Sequence, residues 1–271
     1  MSSLYFIGDE TSYLRIPTND FNFGTGDFTI EWYQYQTDTN PFPRIFQIGN
    51  YVENSSSIGV SIEGGSFYYW TNMSPNYVQN LNDSDYKNQW VHFAISRSSN
   101  TTQIFMNGTS IFSMSDNNNF TSSDDLVIAN ETTPSSVAAF GGYMTYFSWM
   151  KGTAKYTSNF TVSNTYPSLT TNHRILLKAG SFGGTLGNTV VNNNVSTINQ
   201  VPPNFESGTT PTPPPTPTPT PTPTQTPTQT PNFRNIGSLF TNNSMVYYKR
   251  GTLASCGVGS VRNSSVKSKR I

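Results

Sequence analysis

The sequence holds one cysteine in 271 residues, Cys256, so no disulfide within the chain can staple its fold, and stability has to come from packing. Long hydrophobic runs are missing as well. No apolar stretch approaches the roughly 18 residues that span a bilayer. Leu4 to Ile7 is too short for a secretory signal and lacks the basic flank one needs, so synthesis in a host cytoplasm without a signal peptide is expected. Charge is sparse at 11% of residues, and Ala, Leu and Glu, the strong helix formers, are few. The only two histidines, His92 and His173, have no Cys or acid at ligand spacing, which argues against a histidine metal centre and for a structural His92.

What is present favours strands and turns. Aromatics reach 14%, and Asn, Ser, Thr and Gly are abundant. The best-specified stretch is Trp90 to Gly108. Val91, Phe93 and Ile95 alternate with Trp90, His92, Ala94 and Ser96, the period of two of a pleated strand. Arg97 to Thr102 reads as a polar turn, Gln103 to Met106 resumes the alternation, and Asn107-Gly108 reverses the chain again. The stretch predicts a β-hairpin.

The same pattern recurs before and after it. Leu4 to Ile7, Tyr13 to Ile16, Phe28 to Gln36, Arg44 to Ile48, Ile58 to Ile62 and Phe67 to Trp70 read as strands; so do Ser110 to Met114, Leu126 to Ala129, Gly142 to Met150 and Arg174 to Lys178. Such a series of short strands with no long helical stripe predicts an all-β, two-sheet antiparallel sandwich. Residues 181–208 lose the alternation and are expected to add a loose strand or two.

From Thr209 to Pro231 the chain is almost wholly Pro, Thr and Gln, which favours polyproline II and a semi-stiff spacer. All 15 acids precede this tract, whereas 7 of the 15 basic residues follow residue 210. The expected organisation is a sandwich over 1–205 with its core in 3–180, a Pro/Thr-rich linker over 206–231 and a basic tail over 232–271. The tail lacks the interleaved aromatics of a single-strand nucleic-acid binder, so Arg262, Lys267, Lys269 and Arg270 read as an anchor to a larger assembly.

The ordered combination of Phe6 to Asp9, Tyr13 to Pro17, Asp27 to Trp32, Trp90-x-His92-x-Ala94, Asn107-Gly108, Gly141-Gly-Tyr143 and Lys151 to Thr161 resembles laminin-G-like, concanavalin-A-like lectin/glucanase domains of phage and large DNA virus surface proteins. The resemblance implies a jelly-roll sandwich that binds glycans or proteins and in some members is catalytic.

Catalytic members carry closely spaced acids, because retaining glycoside hydrolysis needs two carboxyls about 5 Å apart. Along its own strand Glu31 has only Tyr33 and Tyr35 beside it, and Glu63 is followed by two glycines, so no enzyme is expected. Sugar rings stack on aromatic faces, which makes Tyr33, Tyr35, Tyr68, Trp70 and Tyr77 the candidate ligand-binding residues. No cofactor is required, although Asp83, Asp85, Asp124 and Asp125 are candidate Ca²⁺ ligands in loops. The expected protein is a non-catalytic glycan- or protein-binding module held on a virion through stalk and tail, in contact with capsid proteins. The alternatives are a structural virion component and a divergent glycosidase.

Overall fold

The computed structural model describes residues 2–17, 20–37, 40–49, 56–71, 74–178, 189–202 and 205. These all fall in the first of two compact units, Met1–Pro214 and Pro215–Ile271. The linker, and the tail with Arg262, Lys267, Lys269 and Arg270, lie outside the described residues.

In chain order the strands are β1 (Ser3–Ile7), β2 (Tyr13–Ile16), β3 (Phe28–Gln36), β4 (Arg44–Ile48), β5 (Ile58–Glu63), β6 (Ser66–Thr71) and β7 (Ser74–Asn80). A one-turn helix α1 (Asp83–Tyr86) leads to β8 (Trp90–Ser98), β9 (Thr101–Met106), β10 (Thr109–Ser115), β11 (Leu126–Ile128), β12 (Gly141–Lys151), β13 (His173–Leu177), β14 (Val191–Asn193) and β15 (Ser196–Ile198). The first sheet runs β10-β9-β8-β3-β12-β1-β15, with β13 also paired to β12; the second runs β14-β2-β11-β4-β5-β6-β7. Every ladder is antiparallel, and the two sheets form a sandwich of the concanavalin-A-like jelly-roll type. The segment 191–198 supplies an edge strand to each sheet, and Val195 between them is buried in the core.

The alternation read from the sequence decides what fills the space between the sheets. Phe28, Ile30 and Trp32 of β3 and Val91, Phe93 and Ile95 of β8 are buried against Phe46, Val60 and Phe67 of the second sheet. The Trp32 ring lies 5.7 Å from both Phe46 and Phe93, bridging the layers. Each such side chain contributes about 1.5–3 kcal/mol of burial, which a chain without a disulfide in this domain depends on.

One local reading needs correction. The turn of the β8–β9 hairpin is not the six residues Arg97 to Thr102 but Ser99-Asn100 alone, both left-handed (φ 48° and 65°), the geometry that matches strand twist. Arg97 is therefore in β8, and it is fully buried. Its guanidinium donates to the carbonyls of Gly24, Gly26 and Asn118 at 2.6–3.0 Å, lies 3.7 Å from Asp116 and sits 4.8 and 5.0 Å from the ring centroids of Phe28 and Phe120. Asp116 in turn accepts from Thr102 at 2.7 Å and from Tyr69 of the second sheet at 3.4 Å. The pair is thus a polar tie between the layers.

Candidate functional site

The outward face of the first sheet carries most of the chemistry. On β3 the period of two turns Thr29, Glu31, Tyr33 and Tyr35 away from the core. Register then sets β8 residues beside them: Tyr33 faces His92 and Glu31 faces Ala94, so His92 is the diagonal neighbour of Glu31. On β12 a bulge between Thr145 and Phe147 inserts Tyr146 with φ 53°, and burial together with the Glu31 charge raises its phenol.

After β12, residues 152–172 cross this face without regular secondary structure. They are pinned by Thr29 Oγ1, which donates to the Thr153 carbonyl at 2.8 Å and accepts from the Lys155 amide at 2.9 Å. Lys155 Nζ lies 2.6 Å from Glu31 Oε1, and the Tyr156 hydroxyl donates to Oε2 at 2.7 Å. His92 Nε2 is 3.4 Å from the same Oε2. Further along, the Tyr33 hydroxyl donates to the Ser163 carbonyl at 3.0 Å, and Phe205 packs edge-on against Tyr33 and Tyr166.

Glu31 is buried, and burial by itself would raise its carboxyl. The hydrogen bond from His92 and the charge of Lys155 outweigh that and hold the pKa down at about 2. Burial, then the Glu31 charge, pushes the Tyr33 and Tyr156 phenols up. A cavity of about 240 Å³ lies beside this cluster, lined by His92, Tyr146, Lys155, Tyr156 and Val162 among others, and Glu31 is its one acid. A retaining or inverting glycosidase needs a raised carboxylic acid and a second carboxylate. A lone carboxylate fixed in its ionised form supplies neither. Its place is that of a counter-ion fastening the 152–172 segment to the sheet.

One rung further along the same face the chain leaves aromatics open. Tyr5 of β1 faces Tyr143 of β12, Tyr143 faces Tyr35 of β3, and Tyr35 faces Trp90 of β8. Successive ring centroids are 5.1, 5.8 and 5.8 Å apart, and all four side chains are half-buried. Tyr33, in contrast, is 8% exposed beneath Phe205. Of the two expected β3 tyrosines, then, Tyr35 is presented and Tyr33 is covered. Tyr5, Tyr143 and Trp90 escaped sequence reading as a group because only strand register brings them together.

On the outward face of the second sheet, Tyr68 and Trp70 stack at 5.8 Å, and Tyr77 stands opposite Tyr68 in the β6–β7 register. The Arg44 guanidinium lies 5.0 Å from the Trp70 ring, and the indole N–H donates to Ser61 Oγ at 2.9 Å. One face of Trp70 is thereby taken by Tyr68 and another contact by Arg44. Tyr35 belongs to a different sheet, so the five expected aromatics divide between the two sheets.

The four aspartates are engaged locally. Asp83 accepts from Lys87 at 2.9 Å and from Tyr86 at 2.8 Å, and Asp85 accepts from the Asn82 backbone N–H at 2.8 Å, three bonds that secure the single turn of α1. Asp124 accepts from Ser122 at 2.8 Å; Asp125 lies 3.2 Å from Arg15 at a polar hollow of about 330 Å³. The two pairs do not converge, and no group of three or more His, Cys, Asp or Glu among the described residues is arranged to hold a metal ion. No helix among them is long and apolar enough to cross a membrane.

Among solved structures the chain is similar to a Bacteroides ovatus protein described as carbohydrate binding, with a TM-score of 0.54 at 14% identity, covering 73% of this chain and 59% of that one. The chain therefore spans about three-fifths of that protein's length. A heptameric pentraxin from Limulus polyphemus gives 0.47 at 13% identity over 72% of this chain and 94% of its own, and domains LG4-5 of mouse laminin alpha1 give 0.44 at 11% over 59% and 45%. At these identities the first likeness shows the fold alone. No curated protein matches the chain. The family match covers residues 8–155, more than half of the sequence, and the chain belongs to the concanavalin A-like lectin/glucanases superfamily.

Proposed function

We propose that this protein is a non-catalytic glycan-binding module. The observation that carries the reading is the row Tyr5, Tyr143, Tyr35 and Trp90, four half-buried aromatics set side by side one rung from the Glu31 and Tyr33 positions that the 152–172 segment and Phe205 cover. Aromatic rings half-open to solvent offer sugars an apolar surface, and their polar tips offer hydrogen bonds. The relatives named above include one described as carbohydrate binding, which agrees with this reading.

The finer part of the proposal concerns display. The Pro/Thr tract serves as a stalk, and the tail, with seven basic residues and no acid, anchors the module to an acidic partner surface, which we take to be that of a virus particle. Its support is the charge asymmetry and the length of the tract. A glycan array probed with the full-length chain tests the binding: retention of a defined class of glycans is expected, and no retention of any glycan would refute it. Deleting 232–271 tests the display, since the truncated protein should be lost from purified particles; particles that keep it would remove the anchor.

A further inference from the structure

We infer that β10, at the free edge of the first sheet, pairs antiparallel with β10 of a second copy of this chain about a two-fold axis, joining the first sheets of two copies into one. Among the described strands, β7, β10, β13, β14 and β15 pair on one side only. Open edges invite pairing with another chain, and proteins guard them with charge, proline or brevity. Four of these five are guarded. β14 and β15 have three residues each, β7 carries Pro75, and β13 carries Arg174, which lies 3.0 Å from Asp20. β10 spans seven residues without charge or proline, and its hairpin partner β9 is uncharged as well.

Which backbone groups β10 turns outward follows from its ladder. The Asp116 N–H donates to the Asn100 carbonyl at 2.8 Å, which marks that pair as hydrogen-bonded. Alternation then makes Met114–Thr102 and Phe112–Ile104 the bonded pairs. Ser113 and Ser115, opposite Gln103 and Thr101, are left with N–H and C=O turned away from β9. Both serines are exposed. The bulge at Ile111 and the Ser110 N–H, which donates to Asn159 Oδ1 at 2.8 Å, close only the first part of the strand.

The side chains fit a second copy. With Ser113 facing Ser113 of the second copy, Phe112 lies opposite the other copy's Met114, and Met114 opposite its Phe112. Phe112 and Met114 are half-buried and packed against the rim of the core, so the pairing covers apolar surface that the edge leaves open. No charge on the strand opposes its own image, whereas like charges set directly opposite would destabilise the pair. Antiparallel pairing about a two-fold axis also keeps both outward faces on one side of the joined sheet. The dimer thus presents two aromatic rows in one direction, and on the glycan-binding reading it is bivalent, which strengthens retention on a surface without any new contact.

The test is sedimentation velocity of the full-length protein from about 1 to 100 μM, where a reversible monomer–dimer equilibrium is expected. Ser113→Lys sets two like charges face to face, and Ser113→Pro removes an outward N–H without taking one from the β9 ladder. Each should raise the dimer Kd at least about tenfold, while thermal unfolding shows that the variants remain folded. Ser113→Cys in a Cys256→Ser background should give a disulfide-linked dimer on mild oxidation, since directly paired residues lie about 5.5 Å apart; Thr109→Cys should not. A protein that stays monomeric throughout, or a dimer indifferent to Ser113→Lys, would overturn the inference. On the glycan array Ser113→Lys should be retained more weakly than the native chain. Equal retention would remove the bivalence, and retention of neither on any glycan would refute the binding reading alone, because sedimentation decides the pairing.

Discussion

Lys155 Nζ sits 2.6 Å from Oε1 of Glu31, joining residues 124 positions apart and fastening the segment after β12 to the middle of the first sheet. Because Glu31 is buried, this contact is screened far less than a surface ion pair.

Removing the carboxylate should therefore be costly. Glu31→Gln leaves Lys155 and His92 facing an amide, and a loss of roughly 3 kcal/mol is expected at neutral pH. The pH dependence has a definite sign. The Glu31 carboxyl titrates at about 2 in the folded protein against an ordinary 4.5. A carboxyl lowered by folding stabilises the folded state above its unfolded pKa and loses that contribution as pH falls to its folded value. Urea denaturation of both proteins should thus show a constant gap above about pH 5 that closes between about 4.5 and 2. A gap that stays constant down to pH 2 would show that Glu31 acts through shape alone.

Lys155 itself is one-third exposed, so its loss is milder for the core than for the segment it holds. Lys155→Met leaves Glu31 with Tyr156 and His92, and a fall of about 1 kcal/mol in global stability is expected. Limited proteolysis within 152–172 should accelerate more than that fall explains, because the segment opens locally. Equal changes in cleavage and in global unfolding would contradict the local tether.

How much of this was legible in the sequence follows from which contacts are local. Alternation in Phe28 to Gln36 and in Trp90 to Ser96 correctly separated Trp32 and Phe93, facing the core, from Tyr33, Tyr35 and His92, facing outward. It could not show that Glu31 meets His92 and Lys155, since those neighbours come from another strand and from an irregular segment. Nor could it tell Tyr33 from Tyr35, equivalent in pattern, because the difference is made by Phe205, 172 positions beyond Tyr33. Arg97 misled for a related reason. A charged residue at the end of a strand reads as the start of a solvated turn, and only the distant carbonyls of Gly24, Gly26 and Asn118 make its burial tolerable.

That arrangement makes Arg97 the polar residue on which the sandwich most depends. Arg97→Met should cost about 3–5 kcal/mol, since Asp116 is left buried without its cation and three carbonyls lose their donor. The double variant Arg97→Met with Asp116→Asn should recover part of the loss, the recovery measuring the charge term by a double-mutant cycle. Full additivity of the two losses would show that the carbonyl hydrogen bonds alone matter.

Gly142 connects stability to the proposed binding surface. It sits in β12 beside Tyr143 with φ 141°, and a Cβ built there would collide with the Tyr35 carbonyl oxygen across the β3–β12 ladder. The collision is with backbone, so the strands themselves must part. Gly142→Ala should therefore lower stability by at least about 2 kcal/mol, and it should displace Tyr143 relative to Tyr35, the central pair of the aromatic row. Gly64→Ala is the control: its φ of 56° lies in the left-handed region that a side chain adopts at a cost of about 1–2 kcal/mol, and nothing lies within 4 Å of the added methyl. Thermal unfolding should rank the two variants in that order. If both remain folded at the assay temperature, retention on the glycan array should fall for Gly142→Ala and hold for Gly64→Ala, whereas equal binding by the two would separate the row from the ligand.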